Sequence, residues 1–464
     1  MASVAVVATD DDGREPNRRR VQQVVVEVSL GTGFQNLTVE NLFERAGATP
    51  ALKSLNTPPQ RDFEMTDIAL DPHTDYDIFD PGFVVDPYST MTTIRESACP
   101  IAHTERRGGS WFPTRYDDVI ALAQEHDVFT SREIIVVPPP PGAAEMAYSG
   151  VKAPPITSDP PEHHWHRRAI LPTFAPQAVA RYEEFTRDWC NQLIDGFIGN
   201  GTADAASDYA QQIPVRVISS MLGVSHDMSA TFTGWVRGVL EIGLTDPMVR
   251  RESRLNIMEF FRAQLDDRKA NPRENDLITS LLALEVEGEP VDEEYVMGVC
   301  NLMLVAGIDT TWSAIGSSMW HLASHAEHVQ QLHDNPDLWP SAVEELLRAY
   351  SPVTMARIVA HDTEFQGCPM KAGDRVLMAF PAANRDPRQF ENPDEVILDR
   401  ENNRHVAFGA GIHRCAGSNL ARLELRVALQ TWLSRIPKFE LVDPSTVTWA
   451  GGQVRGPRIC MVKF

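Results

Sequence analysis

Apolar residues recur at three- and four-residue intervals through most of residues 160–350, which is the spacing of α-helices. The longest apolar run extends from about Asp292 to His325 and is predicted to be a buried helix. A further helix is predicted from Ala416 to Ile436. One stripe of that helix is formed by Leu420, Leu423, Val427 and Ile436.

Strand-like stretches are few and short. The clearest are Arg375–Ala379 and the closing RICMVKF, residues 458–464. Pro- and Gly-rich turns separate the predicted elements, and the longest of them, residues 136–150, is expected to be a surface loop or a lid. The pattern therefore predicts a mainly α fold with minor β structure.

The first 70 residues differ from the rest of the chain. They combine an acidic start, three arginines at positions 18–20, the β-prone VVVEV at 24–28 and a short amphipathic helix predicted from Thr38. We therefore predict an N-terminal extension of unknown role over residues 1–70 and one large domain over residues 71–464.

Composition and charge narrow the class of protein. The 464 residues are 43% hydrophobic and 23% charged, which suits a large globular domain. A net charge of −22 opposes binding to nucleic acid, because phosphates would be repelled. The N-terminus lacks the pattern of a secretion signal, and no apolar run approaches the ~20 residues of a membrane helix. We expect a cytoplasmic protein that binds neither nucleic acid nor a membrane.

The stretch FGAGIHRCAG, residues 408–417, places Cys415 among three glycines, directly before a predicted helix. Glycines permit tight turns and a close approach of the backbone to a flat group. A helix N-terminus lowers the pKa of a thiol and so favours the thiolate, which ligates metals. A phosphate-binding loop is the rival, but the Lys-Ser/Thr ending of such loops is missing. The other five cysteines show no paired spacing that predicts disulfides or a zinc module.

Histidines cluster in DPPEHHWHRR, residues 159–168. His163 and Arg167 share one helical face, whereas His164 and His166 do not pair with each other at helical spacing. This arrangement favours a cationic clamp for carboxylates over a zinc site.

Two other helical stretches carry unusual polar residues. In LMLVAGIDTTWSAIG, residues 302–316, the Thr310 hydroxyl can turn onto the carbonyl four residues earlier, which loosens the helix and leaves room for a small ligand. Packing of Gly307 against a neighbouring helix is the alternative. In EELLR, Glu345 and Arg348 face one side of a helix, which alone is weak evidence.

Taken in order, these stretches resemble the cytochrome P450 family, in particular its soluble bacterial members. The resemblance covers residues 79–464. The ligand-loop pattern of the family, F-x-x-G-x-x-x-C-x-G, is matched by Phe408, Gly411, Cys415 and Gly417, and the bacterial continuation is matched by Leu420, Ala421 and Arg422.

The resemblance implies a heme b cofactor whose iron takes the Cys415 thiolate as a ligand. It also implies that Ala306 and Gly307 border the cofactor and that Phe408 and Gly417 pack beside the ligand. The heme propionates would be bound by His163, Arg167, Arg357 and His413. An ion network that fixes residues 384–400 beneath the heme would consist of Glu345, Arg348 and Arg400.

The resemblance further implies monooxygenation of an organic substrate with O2, by hydroxylation or oxidative dealkylation. Asp309 and Thr310 match an acid–alcohol pair in which the hydroxyl holds dioxygen and the carboxylate relays protons. No reductase domain follows in the sequence, so a ferredoxin and a ferredoxin reductase using NAD(P)H are the expected electron donors. A basic docking face for an acidic ferredoxin would be formed by Arg168, Arg414 and Arg422.

The expected substrate pocket is apolar and without a charge partner, so we predict an uncharged, moderately hydrophobic substrate. Thr354 and residues near Val454 are expected to add polar contacts. The other predicted lining residues are the loop 134–151 and Leu302, Val305, Ala306, Val353 and Met355. Two further functions of the same fold stay open: a peroxygenase, which the Asp309–Thr310 pair disfavours, and a heme sensor without enzymatic activity.

Overall fold

The computed structural model of the chain describes residues 4–7, 25–28, 71–138 and 152–464. The chain divides into two units, Met1–Ile68 and Ala69–Phe464. In the first unit, β1 (Val4–Val7) pairs antiparallel with β2 (Val25–Val28). The second strand coincides with the predicted β-prone segment, whereas the helix predicted from Thr38 lies outside the described residues.

The second unit is mainly helical. In its described part the helices are α1 (Pro81–Val85), α2 (Pro87–Glu96), α3 (Tyr116–Gln124), α4 (Glu162–Ile170), α5 (Pro176–Ala180), α6 (Glu183–Phe197), α7 (Gln212–Met221), α8 (Ser229–Leu240), α9 (Pro247–Ala270), α10 (Leu277–Leu282), α11 (Glu293–Ser324), α12 (Ala326–Asp334), α13 (Trp339–Ala349), α14 (Phe380–Ala383) and α15 (Ser418–Arg435).

The strands of the second unit are short. They are β3 (Ile101–Thr104), β4 (Ser110–Pro113), β5 (Phe129–Thr130), β6 (Thr202–Asp204), β7 (Glu285–Val286), β8 (Glu289–Pro290), β9 (Thr354–Val359), β10 (Thr363–Phe365), β11 (Cys368–Met370), β12 (Arg375–Ala379), β13 (Glu440–Leu441), β14 (Thr448–Ala450), β15 (Gly456–Ile459) and β16 (Met461–Lys463). The mainly α fold with minor β structure is therefore confirmed.

The largest sheet has the strand order β3-β4-β12-β9-β5, in which β4 and β12 are parallel and the other neighbours are antiparallel. Strand β12 has the predicted bounds. The closing segment forms two strands rather than one, because β15 pairs with β14 while β16 pairs with β13 and β6. Most of the predicted loop at 136–150 lies outside the described residues.

Helix α11 is the central helix of this unit and follows its predicted bounds to within one residue at each end. It begins where the Asp292 carboxylate accepts a hydrogen bond from the Tyr295 backbone N–H at 2.6 Å. It packs against α7, α8, α15 and β15, so its apolar surface is covered by protein. In the described part of the chain this one helix is long and apolar enough to cross a membrane, but 67% of its most apolar stretch is buried within the protein. The prediction that no apolar run approaches this length was therefore wrong, and the fold explains the run as a core helix.

Helix α13 carries an ion network that fixes the irregular segment at 384–400. Glu345 and Arg348 are fully buried and meet at 2.8 Å, and Arg400 also contacts the Glu345 carboxylate at 3.0 Å. Arg348 donates further hydrogen bonds to the backbone carbonyls of Asn384, Pro393 and Glu395. The weak sequence signal of Glu345 and Arg348 therefore marks a buried connection between a helix and an irregular segment.

Replacing Glu345 should be strongly destabilising, because Arg348 and Arg400 would lose the charge that compensates their burial. We expect Glu345→Gln to lower the free energy of unfolding by about 3–5 kcal/mol. Urea unfolding of the heme-loaded protein measures this change. The control is Glu440→Gln, which removes an exposed partner of Lys463 and should cost less than about 1 kcal/mol. Equal losses in the two variants would contradict the role assigned to the buried network.

Candidate functional site

The loop before α15 is shaped by two glycines. Gly409 and Gly411 have φ angles of +70° and +66°, in the left-handed region that disfavours other residues. A Cβ atom on Gly411 would also lie 2.2 Å from the carbonyl oxygen of Ala123, at the end of α3. Within the loop, the Cys415 backbone N–H donates to the Phe408 carbonyl at 2.8 Å. The glycine spacing thus sets the position of the cysteine and docks its loop against α3.

The Cys415 side chain keeps accessible surface, but the surrounding protein is dense enough that burial raises the pKa of its thiol. The Gly417 backbone N–H and the charges of Arg167 and Arg414 oppose this shift without overcoming it. Helix α15 begins at Ser418, three residues beyond the cysteine. Burial therefore outweighs the helix terminus, and the lowered pKa expected from the sequence is not found.

Four nitrogen-bearing side chains converge near Cys415 from three separate elements. His163 and Arg167 lie on α4, Arg357 lies on β9, and His413 lies in the turn before the cysteine. The rings of His163 and His413 are 4.4 Å apart between centroids. Arg167 donates to the Arg414 carbonyl, which fixes its guanidinium beside the ligand loop.

Several nitrogen atoms of this group are buried without a hydrogen-bond partner among the described residues. Both ring nitrogens of His163 and Nε2 of His413 are buried without a hydrogen bond. Arg357 is 5% exposed, and its guanidinium donates to the Ala356 carbonyl at 2.9 Å. Burial lowers the pKa of Arg357 to about 10 and that of His163 to about 4. Unpaired buried donors are costly, so this site suits a group that brings two carboxylates next to the thiol. The side chains therefore fit a heme with its propionates.

The face of α11 that contains Thr310 lines a cavity of about 960 Å³. The Thr310 hydroxyl donates to the Ala306 carbonyl at 2.7 Å, as the sequence predicts. Both residues border the cavity, whereas Gly307 does not. A Cβ atom on Gly307 would lie 2.6 Å from the Ile218 side chain on α7. Packing against α7, the alternative that the sequence left open, therefore accounts for the glycine at this position.

Asp309 faces away from this cavity and is fully buried. One carboxylate oxygen, Oδ1, accepts hydrogen bonds from Arg458 at 2.8 Å and from Ser313 at 3.2 Å. The other, Oδ2, has no hydrogen-bond partner among the described residues. Burial raises the pKa of the Asp309 carboxyl, and the nearby Arg458 charge opposes that shift.

Arg458 connects Asp309 to a second carboxylate. It contacts Glu241 at 2.9 Å, and Glu241 pairs with Arg237 at 2.8 Å. The Arg237 side chain is 38% exposed, so this chain of charges leads from the core to the surface. The sequence analysis missed Arg458, because it lies 149 residues from Asp309 and sits in a strand with no local motif.

The cavity contains all five of the lining side chains predicted individually, together with Ile134, Ile135 and Val137 of the predicted loop. The prediction of a lining without charge partners was wrong. Charged residues on the lining are Arg132, Glu133, Lys152, Asp159, Glu162, Arg250, Arg254, Asp292 and Glu294. These residues come from loops and helix ends that local periodicity does not bring together. Gln453 and Val454 also line the cavity, whereas Thr354 does not.

His166 lines the cavity. The sequence analysis predicted no role for it and did not include it in the clamp, which consists of His163, Arg167, Arg357 and His413. The Nδ1 atom of His166 lies 2.7 Å from the Ser158 hydroxyl, and its ring stacks on Tyr295 at 5.0 Å between centroids. His163 contacts His413 instead. His163 and His166, both on α4, therefore face different sites: His163 faces the ligand loop and His166 faces the cavity.

Of the three arginines predicted to form a docking face, Arg168 and Arg414 are exposed. Arg422 is instead 28% exposed and pairs with Glu344 at 2.7 Å. Its guanidinium also stacks on the Phe408 ring at 4.4 Å. Arg422 therefore stabilises the ligand loop, and its part in a docking face stays a prediction.

Comparison with known proteins shows consistent similarity. The family model described as Cytochrome P450 matches residues 247–447. A probable cytochrome P450 127A1 from Sinorhizobium fredii is 32% identical, over 80% of this chain and 88% of the relative. A mycinamicin IV hydroxylase/epoxidase from Micromonospora griseorubida is 32% identical, over 75% and 88%. The solved structure of the Bacillus subtilis bacillaene polyketide synthase cytochrome P450 PksS is 28% identical and covers 85% of this chain and 99% of its own, with a TM-score of 0.75.

The role of His163 in heme binding can be tested against a control substitution at the adjacent residue, His164. His163→Ala removes a buried donor and should raise the dissociation constant of heme roughly 10- to 100-fold, the equivalent of about 1.5–3 kcal/mol for one hydrogen bond to a charged group. His164→Ala should have little effect, because His164 is exposed on the same helix. Heme transfer to an acceptor globin measures both constants.

Both variants should keep the strongly red-shifted carbon monoxide band of a thiolate-ligated heme, since Cys415 is unchanged. Equal heme retention in the two variants would contradict the clamp.

Proposed function

The chain belongs to the cytochrome P450 family of monooxygenases, and on that basis we propose that it inserts one oxygen atom from O2 into a hydrophobic organic substrate by hydroxylation or oxidative dealkylation. Electrons would come from a ferredoxin and a ferredoxin reductase. The observation that carries this proposal is the convergence on Cys415 of two cationic side chains and two histidines, three of whose ring nitrogens are buried without a partner among the described residues, an arrangement that suits heme propionates.

When bound, heme b supplies the activation of O2 and the transfer of oxygen to carbon. Cys415 would ligate the iron, and the Gly417 N–H would direct a hydrogen bond at its sulfur. The propionates would be held by His163, Arg167, Arg357 and His413. These interactions would orient the cofactor, balance the charge of the buried Arg357 guanidinium and give partners to the buried ring nitrogens.

The substrate would be oriented by the apolar wall of α11. Leu302, Val305 and Ala306 follow one face of this helix and lead to Thr310. A hydrophobic part of the substrate is therefore expected beside Thr310, where the enclosing side chains also limit access of water. The charged residues of the lining leave room for a polar or charged group elsewhere on the same molecule. We accordingly propose a substrate with a hydrophobic reacting portion and do not require the rest of it to be uncharged.

The names of similar proteins support oxidation at carbon. One relative is named as a hydroxylase/epoxidase of mycinamicin IV and another as an epothilone C/D epoxidase. The relative from Bacillus subtilis is named for polyketide biosynthesis. These names add epoxidation of a carbon–carbon double bond to the reactions that this cavity could host.

Thr310 and Asp309 would take different parts in proton transfer, Thr310 at the cavity and Asp309 on the buried side of α11. The Thr310 hydroxyl is at the cavity and can exchange its bond to the Ala306 carbonyl for one to a reacting group. Successive helical residues point about 100° apart, which is why Asp309 is outside the cavity although it is adjacent in sequence. Its unpartnered Oδ2 can hold a proton, and the chain through Arg458 and Glu241 connects it with the surface.

Electron delivery would use the exposed side of the ligand loop. Arg414 directly precedes Cys415, and Arg168 follows Arg167, whose guanidinium binds the Arg414 carbonyl, so both exposed arginines add positive charge near this loop in a protein of net charge −22. A local basic patch can attract an acidic ferredoxin even when the whole protein is acidic, because charges beyond about 10 Å are largely screened at physiological salt.

Thr310→Ala should uncouple electron consumption from product formation. The variant should keep heme and NAD(P)H consumption but release several-fold more hydrogen peroxide per NAD(P)H, because only the hydroxyl facing the reacting group is lost. Asp309→Asn should instead slow turnover roughly 100-fold with better-preserved coupling. Peroxide and product per NAD(P)H measure the difference at equal heme loading.

Thr311→Ala is the matched control, since Thr311 is buried on the same helix and does not line the cavity. Unchanged coupling in Thr310→Ala, or the same uncoupling in Thr311→Ala, would refute the assigned role.

Replacing a docking arginine should slow reduction by ferredoxin. We expect Arg168→Glu and Arg414→Glu each to lower the rate roughly 10-fold at low ionic strength and to flatten its dependence on salt. Arg262→Glu makes the same charge change at an exposed position on α9, which packs against α8 and α11. Stopped-flow reduction rates distinguish a local docking site from a general charge effect, for which all three variants would slow equally.

A further inference from the structure

Two thiols that the heme site does not use lie against each other. Cys99 and Cys368 are 269 residues apart in sequence, yet their sulfur atoms are 3.9 Å apart. Cys99 is exposed in the short connection between α2 and β3. Cys368 is the first residue of β11 and is 8% exposed. Cys99 is therefore accessible to an oxidant in solution, whereas Cys368 is largely shielded from solvent but in contact with Cys99.

We propose that Cys99 and Cys368 are an oxidative modification site, at which a hydroperoxide converts the two thiols into a reversible intramolecular disulfide. The site is separate from Cys415 and does not depend on the proposed function. It gives a role to two of the six cysteines, which show no paired spacing in the sequence.

The chemistry balances with hydrogen peroxide as the oxidant. The Cys99 thiolate attacks one peroxide oxygen, the O–O bond breaks, and a sulfenic acid and one water form after proton transfer. The Cys368 sulfur then attacks the Cys99 sulfur, the S–O bond breaks, and a second water leaves. Two thiols lose two electrons and two protons in total, and the peroxide gains both.

The geometry requires only a local movement. A disulfide needs its sulfur atoms about 2.05 Å apart, so the pair must close by less than the width of one atom. Cys99 can move because it is exposed and its thiol makes one further weak contact, 3.4 Å to the Ile101 carbonyl. Cys368 is held by the ladder between β10 and β11. The exposed partner would therefore move toward the fixed one.

The other cysteines are poorly placed for the same reaction. Cys190, Cys300 and Cys460 are fully buried, and burial raises the pKa of each thiol. The pKa of Cys368 is also raised, to about 11, by burial and by its neighbour Cys99. Exposure makes Cys99 the first thiol to react, and proximity makes Cys368 the second.

The disulfide would tie the edge of the large sheet to the separate two-stranded sheet of β10 and β11. The hairpin of β10 and β11 follows β9, which carries Arg357, and precedes β12. Cys99 precedes β3 at the edge of the same sheet. A link between them would close a loop of 269 residues and should raise the temperature of unfolding.

The test treats the heme-loaded protein with a small excess of hydrogen peroxide and then counts thiols after unfolding in an alkylating agent. We expect the loss of two thiols per chain, a cross-linked peptide that joins Cys99 to Cys368, and full recovery with dithiothreitol. The oxidised chain should migrate as a monomer without reductant and unfold at a higher temperature.

Cys99→Ser and Cys368→Ser should each prevent the loss of two thiols and the rise in unfolding temperature. Cys460→Ala removes a buried cysteine and should leave both effects in place. Irreversible oxidation of Cys99 with Cys368 still reduced, a disulfide between two chains, or no loss of thiols at this pair would overturn the proposal.

Discussion

The cost of burying nitrogen donors without an anionic partner is the constraint on which this site depends. His163 and Arg357 reach the ligand loop from distant parts of the sequence and meet His413 there, and each of the three has unused hydrogen-bonding capacity. A bound dicarboxylate lowers that cost, so cofactor binding contributes directly to the stability of the folded state. The glycine loop, the ion network of α13 and the stacking of Arg422 on Phe408 then serve one purpose, which is to keep Cys415 aligned with that clamp.

Features that arise from local physics could be predicted from the sequence. Helix α11 was delimited to within one residue because an N-capping aspartate and a continuous apolar run act over neighbouring turns. Strand β12 was located as a short run of mainly apolar residues, all five of which are buried. The stripe of α15 is buried as expected, since a helical period fixes which residues share a face. The family resemblance added what periodicity could not, namely which distant residues should meet around Cys415.

Features that arise from contacts between distant segments could not be predicted. The charge on Asp309 is balanced by Arg458, and the mixed charge of the cavity comes from loops and helix ends gathered by the fold. Gly307 had two interpretations, which only the position of Ile218 on α7 could separate. The pKa of Cys415 was misjudged for a related reason, because desolvation depends on all surrounding segments and outweighs the nearest dipoles.

The pairing of Asp309 with Arg458 has a consequence for synthesis of the protein in the cell. A ribosome adds about 5–20 residues per second, so the 149 residues that separate the two partners take roughly 7–30 s to appear. During that interval α11 can form as a helix, but its buried carboxylate has no counter-charge and cannot be enclosed at low cost. The wall of the cavity that α11 forms can therefore reach its final, charge-balanced state only late in translation, once Arg458 has been added.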